Sequence, residues 1–362
     1  MSQRIEALRM SPTLEHTLTR IRGRDRQVGD RARAHIDTLT KPPGSLGRLE
    51  TLAIELAEIR SEAFPDVTPP GVLVFAADHG VAAEGVSAFP QEVTAQMVAN
   101  FVSRGAAINV FARQIDARLE VIDVGVAAEL SGDGVVHAKV RLGTGNIVES
   151  DAMTRDEAVQ AIETGIGAAE RMAEAGCRCL IVGEMGIANT TASSAVLAAL
   201  TGREVSAVIG RGTGIAESRL AHKQAVIERA MEARQANTDD AMDVLCKLGG
   251  LEIAAMTGAY LGAAAHRLPV IVDGFIATVA ALVTCRLCPA ARDAMIFGHR
   301  SQEPGHGVAL DTLRARPLLD LDLRLGEGTG AALAYPLLVS ATRMLADMAT
   351  FASAGIAGGE AR

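Results

Sequence analysis

Five short apolar runs recur along the chain, and each closes in polar or glycine-rich residues. They are GVLVFAADHG (71–80), ARLEVIDVG (117–125), CRCLIVGEMG (177–186), RLPVIVDGF (267–275) and the weaker DAMIFGH (293–299). Runs of this length, rich in Val, Ile and Leu and bounded by turn residues, predict buried strands. Helical patterns lie between them. Residues 91–114 place Val93, Met97 and Phe101 on one face, and residues 154–175 do the same with Ala158, Ile162, Ile166 and Ala169. Residues 215–234 read as a charged helix. Strands alternating with helices predict an α/β fold built on a mainly parallel, doubly wound sheet flanked by helices.

The two ends follow another pattern. Residues 1–62 contain no convincing strand, and LGRLETLAIELAEIR (46–60) puts Leu49, Leu52, Ala53 and Leu56 on one stripe. Residues 336–354 also read as helical, after Pro336, which should kink or restart the chain. Both ends are therefore expected to join in a small helical subdomain. The implied division is 1–62 and 331–362 for that subdomain and 63–330 for the large α/β domain. The most apolar region, 251–288, is interrupted by His266, Arg267, Pro269 and Asp273, so no membrane span is expected. The first residues have no apolar core, so no secretory leader is expected.

Composition narrows the function classes. Aromatic residues are 3% of 362 with no Trp, so Ala, Val, Leu and Ile must fill the core. The formal net charge of −8 argues against broad nucleic-acid binding, which needs a basic face. An odd count of five cysteines reads as a reduced, cytoplasmic protein. The short spacings Cys177/Cys179 and Cys285/Cys288 lie in apolar runs without clustered His, which favours small buried hydrophobes over metal ligands. Neither a metal nor a cofactor is expected.

Candidate chemistry gathers at the strand ends, where open parallel sheets bind ligands. The ends carry Asp78-His79-Gly80, Asp123-Val124-Gly125, the stretch from Gly183 to Thr191, Asp273-Gly274-Phe275 and Gly298-His299-Arg300-Ser301. Asp and Gly also terminate strands and cap helices for purely structural reasons. In the third stretch, Gly186 leads through Ala188 to Asn189, Thr190 and Thr191, which open an Ala-rich helix. Free N–H groups at such a helix start favour an anion such as phosphate. GRGTG (210–214), with Gly212, Thr213 and Gly214, is a second candidate cradle, and Lys223 lies about two and a half turns further along. The bland alternatives are a capping role for Thr190 and a solvated Lys223. The last candidate is LRLGEGTGAALAYP (323–336), in which Glu327 sits between two glycines. Either Glu327 is a solvated turn residue, or the glycines leave room for a bound molecule on which the carboxylate acts.

Longer motifs carry a resemblance. KPPGSLGRLE, ADHGV, PQEVTAQMVANF, GEMGIANTT, LCKLGG, MTGAYLGAA, VDGFIA and RLGEGTGAALA occur in this order between residues 41 and 334. Together they resemble the nicotinate-nucleotide–dimethylbenzimidazole phosphoribosyltransferase family. The resemblance implies a homodimer with a Rossmann-like large domain and a small helical domain from both chain ends. It implies transfer of 5-phosphoribosyl from nicotinate mononucleotide to 5,6-dimethylbenzimidazole, giving nicotinate and α-ribazole 5′-phosphate for the cobalamin nucleotide loop. Glu327 falls at the position of the family's catalytic base, Glu184 at the second active-site carboxylate and Lys223 at the active-site lysine. Phe89 and Met97 fall at azole-pocket positions, with Asp78 and His79 beside them. The Gly186–Thr191 loop, the Gly212–Gly214 loop and Asp273 are assigned to phosphate and ribose. Both Phe89 and Met97 are apolar, which leaves the preferred azole open. Two other readings are weighed. A non-catalytic nucleotide-binding regulator fits poorly with intact Glu327 and Glu184. A nucleotide-hydrolysing relative fits poorly with an apolar pocket that should exclude water.

Overall fold

The computed structural model describes residues 11–212 and 214–357. Its centre is a six-stranded sheet in the order β3-β2-β1-β4-β5-β6. The strands are β1 (Pro70–Ala77), β2 (Arg118–Gly125), β3 (Val135–His137), β4 (Cys179–Met185), β5 (Val270–Val272) and β6 (Met295–Phe297). Every neighbouring pair is parallel. All eight residues of β1 are buried, as a strand covered on both faces requires. The strand order reverses between β1 and β4, and such a switch point opens a crevice at the carboxyl ends of the strands. In the register Phe75 lies opposite Glu184, so the Asp78-His79 turn and the turn after Met185 emerge side by side.

The five expected strands are present, and three details differ. A short sixth strand, β3, extends the β2 edge; its three residues are half-buried or exposed, so no apolar run marks it. The single helix expected over 91–114 is two, Val93–Val102 and Ala107–Gln114. Between them Arg104 adopts a left-handed conformation, φ 62°, and breaks the helical path. The charged helix expected from 215 runs Leu220–Arg234, after a 3₁₀ turn at Glu217–Arg219. Ala158, Ile162, Ile166 and Ala169 are buried on helix Arg155–Glu174, as their spacing requires.

At the C-terminal end the pattern misleads. Pro336 neither restarts nor ends a helix but lies inside one, Thr329–Asp347. The ring removes the N–H that would reach the carbonyl one turn back. Burial of Ala334, Tyr335, Leu338, Ala341 and Leu345 on one side keeps the helix continuous through it. This helix packs on helix Arg48–Arg60, whose Leu52, Ala53 and Leu56 are fully covered. Beyond the helix, Leu39 and Thr350 form an antiparallel bridge, and the Phe351 N–H donates to the Thr38 carbonyl at 2.9 Å.

Candidate active site

Residues Gly326, Glu327 and Gly328 take three consecutive left-handed conformations, with φ of 91°, 63° and 89°. Glycine adopts these freely, but for Glu327 the cost is about 1–2 kcal/mol. The surrounding structure holds it there. Asp273, just after β5, accepts from the N–H of Gly328 at 3.2 Å and of Ala331 at 2.8 Å. The Thr329 hydroxyl donates to the Gly326 carbonyl at 2.7 Å. From β4, Gly183 lies flat against the turn: a Cβ there would fall 2.3 Å from the Glu327 backbone. The Glu327 side chain is 6% exposed, and its Oε2 accepts from the Ile108 N–H at 3.2 Å, in the first turn of helix Ala107–Gln114. Burial pushes the Glu327 carboxyl above the usual carboxylate range; the Ile108 N–H opposes this and the charge of Asp273 adds to it.

Glu184 stands beside this turn. A Cβ on Gly326 would lie 2.4 Å from Glu184 Oε1, while Glu184 Oε2 accepts from the Asn189 side-chain amide. Burial first, then the carboxylates Glu252 and Asp273, push the Glu184 carboxyl up to about 8; the Asn189 amide opposes and Glu327 adds to the rise. Glu252 reaches the group from helix Leu251–Ala265 and meets His79 Nε2 at 2.7 Å, both side chains being buried. Burial pulls the His79 imidazole down, but Glu252 and then Asp78 outweigh it and leave it raised. Asp78 Oδ2 accepts from the Ala127 N–H at 2.8 Å, and burial raises its carboxyl against that bond.

A cationic end lies further along β4. Lys223 is 1% exposed, and its Nζ donates to Thr190 Oγ1 at 2.9 Å and to the Gly210 carbonyl at 3.1 Å. Burial pulls the ammonium down to about 8 against the pull of Glu303. A Cβ on Gly212 would lie 2.5 Å from Thr190 Oγ1 and 3.4 Å from Lys223 Nζ. The two glycine loops read as alternative cradles therefore meet at one place, with Lys223 between them. Thr213 lies outside the described residues. The N–H groups of Asn189 and Thr191 are already engaged, on the carbonyls of Gly186 and Ala188, so fewer free donors face outward than a bare helix start supplies. Thr191 is fully buried, and Asn189 turns its amide to Glu184.

The residues read as an azole pocket differ in exposure. Asp78 and His79 are buried at the end of β1, whereas Phe89 is 51% exposed on the loop before helix Val93–Val102. Met97 is half-buried on that helix, which Thr94 ties to the turn after β4 by accepting from the Ile187 N–H at 3.1 Å. Phe89 is thus open to solvent in the single chain. A surface cavity of about 530 Å³ is lined by Arg141, Glu149, Ser150, Asp151, Met153, Thr154 and Arg234, none of which belongs to the carboxylate group. Each Asp273 oxygen accepts from one backbone N–H, so this carboxylate braces the Glu327 turn. Cys177 and Cys179 are buried as expected, but Cys285 and Cys288 are only partly covered. Glu252 and Glu303 escaped the sequence reading. Glu252 had a signal: it is the one charged residue in the apolar helix Leu251–Ala265.

Among known proteins, a family model described as Phosphoribosyltransferase matches residues 21–356. The nicotinate-nucleotide–dimethylbenzimidazole phosphoribosyltransferase of Chloroflexus aggregans is 54% identical over 344 residues, covering 95% of this chain and 98% of the relative. The enzyme of the same name from Desulforamulus reducens is 50% identical over 348 residues, covering 96% and 99%. A crystal structure of the nicotinate-nucleotide–dimethylbenzimidazole phosphoribosyltransferase of Thermus thermophilus superposes with a TM-score of 0.88 at 47% identity. It covers 92% of this chain and 100% of that one.

Proposed function

The chain belongs to the nicotinate-nucleotide–dimethylbenzimidazole phosphoribosyltransferase family, and on that premise we propose that it transfers 5-phosphoribosyl from nicotinate mononucleotide to 5,6-dimethylbenzimidazole or a related azole. The lone pair of one azole nitrogen attacks the anomeric carbon. The bond from that carbon to the pyridine nitrogen breaks, and its electron pair leaves with nicotinate. The proton on the second azole nitrogen becomes strongly acidic and passes to a carboxylate. Attack opposite the leaving group turns a β-nucleotide into an α-riboside through an oxocarbenium-like state.

The carrying observation is Glu327, a carboxylate fixed in a left-handed turn, buried and raised in basicity. A base held in place loses little freedom at the moment of reaction, and one whose conjugate acid lies nearer neutrality is the better acceptor. Glu184 is the second carboxylate of this reading; raised to about 8, it is largely protonated at neutral pH and can donate a hydrogen bond. Lys223, Thr190 and the Gly212 loop take the 5′-phosphate, whose binding energy is then available at the distant anomeric carbon. Met97 and Phe89 stand on the azole side. Phe89 contributes there once a ring or a second subunit covers it.

The enzyme acts as a homodimer in the cytoplasm in this reading. Support comes from the family resemblance and from five cysteines that are all free thiols. No helix among the described residues is long and apolar enough to cross a membrane. Residues 1–62 and 331–362 form the small domain and 63–330 the large one, a division supported by the packing of helix Arg48–Arg60 on helix Thr329–Asp347.

The test is Glu327→Gln. The amide keeps an oxygen for the Ile108 N–H but cannot take a proton. Turnover should fall ~10²–10⁴-fold, with azole affinity and melting temperature little changed. Turnover within a few-fold of the parent would remove Glu327 as the base.

A further inference from the structure

His299 lies beside Asp273 and the start of the helix that follows Glu327. It opens β7 (His299–Arg300), which pairs with β8 (Leu319–Asp320) in a separate two-stranded sheet. Its ring is 2% exposed, and Nε2 stands 3.4 Å from Asp273 Oδ1, the same oxygen that receives the Ala331 N–H. The ring also packs against the start of helix Thr329–Asp347, just after the turn: a Cβ at Gly330 would lie 2.0 Å from its Cδ2. His299 thus meets the Glu327 segment at two places, the turn through Asp273 and the helix that follows it through Gly330. The neighbouring His306 differs. Its Nδ1 accepts from the Ser301 N–H at 2.8 Å and its Nε2 lies 3.0 Å from Thr278 Oγ1, so both nitrogens are used within the framework.

We propose that His299 is a positioning residue of the transfer reaction. Its Nε2–H holds Asp273, and Asp273 holds the Gly326–Gly328 turn at the geometry from which Glu327 takes the azole proton. The proposal rests on the reading of Glu327 as the base. A cation at this place also offsets Asp273, whose negative charge makes Glu327 harder to ionise. The groups facing the His299 ring are Asp273 from the end of β5, His306 from helix Pro304–Thr312 at a ring-centroid distance of 6.2 Å, and Arg300 and Asp320 from the two-stranded sheet. Burial lowers the His299 imidazole, but Asp273, then Arg300's backbone and Asp320, leave it raised.

Two variants separate the effects. His299→Leu removes the donor, whereas His299→Gln keeps a donor near the Nε2 position and removes only the charge. For Leu, kcat should fall at least about tenfold, because sub-ångström misplacement of a reacting group is costly, while the KM for nicotinate mononucleotide and for the azole stays within about threefold. Gln should recover most of that kcat. Its acid limb in kcat against pH should move to higher pH, because Asp273 is no longer offset and Glu327 ionises later. A kcat for Leu within twofold of the parent, or a Gln variant no better than Leu, overturns the proposal. If melting curves show that Leu does not fold, the acid limb of Gln decides: an unmoved limb overturns the proposal. Glu327→Gln is assayed alongside. If it keeps its turnover, the base assignment itself has failed; if it loses turnover while both His299 variants behave as the parent, only the role of His299 has failed.

Discussion

Glu184 carries the clearest consequence of crowding four carboxylates into one buried place. Its carboxyl is raised from 4.5 to about 8, with burial the largest cause. Between those values the folded protein keeps a proton that the unfolded chain releases, so the contribution of Glu184 to stability falls as pH rises through that window. Glu184→Gln is neutral throughout and should escape this loss. Its melting temperature should match the parent near pH 5 and exceed it increasingly toward pH 8, a gain on the order of 1–3 kcal/mol after relaxation of the neighbours. Activity should fall at the same time, as expected where function needs a strained site. Parallel pH–stability curves for variant and parent would show that Glu184 ionises as freely in the fold as in the unfolded chain. Glu184 and Glu327 were legible in the sequence because each stands among glycines in a distinctive motif. Asp273 was legible as a strand-end carboxylate, but not as a brace, because its partners Gly328 and Ala331 lie more than fifty residues away. Glu252 was hidden by its helix: only the fold brings it to His79, 173 residues distant in sequence.

Between β4 and the Glu327 turn there is no room for a methyl group. Gly183 is a strand residue whose missing side chain lets the turn lie directly on the sheet. In Gly183→Ala the new methyl meets backbone, which cannot rotate away as a side chain can. Overpacking of this kind costs about 1–3 kcal/mol, and here the displaced group is the Glu327 backbone itself. The variant should lose stability by that amount and lose turnover beyond what the stability loss explains. Unchanged kcat in a destabilised variant would uncouple the strand from the site. The buried strands were readable because apolar runs bounded by turn residues have few other fates. β3 was not, since an edge strand of three partly exposed residues has no such run. Local propensity starts this last helix at Pro336, whereas a buried face that only the tertiary packing reveals carries it over Thr329–Asp347.

Across the whole chain, the reversal of strand order between β1 and β4 gathers segments that are far apart in sequence. The turn after β1, the Gly183–Thr191 stretch and Asp273 follow the carboxyl ends of parallel strands, Asp273 holds the Glu327 turn, and Thr190 links this end to Lys223. The proposed reaction uses both groups: the cation meets the phosphate of the substrate and a carboxylate meets the proton. The most direct measurement incubates the pure protein with nicotinate mononucleotide and 5,6-dimethylbenzimidazole and identifies the products by mass and by anomeric configuration. The account predicts nicotinate and α-ribazole 5′-phosphate in equal amounts. Release of ribose 5-phosphate without riboside, a β-riboside, or no turnover in a folded protein would contradict it.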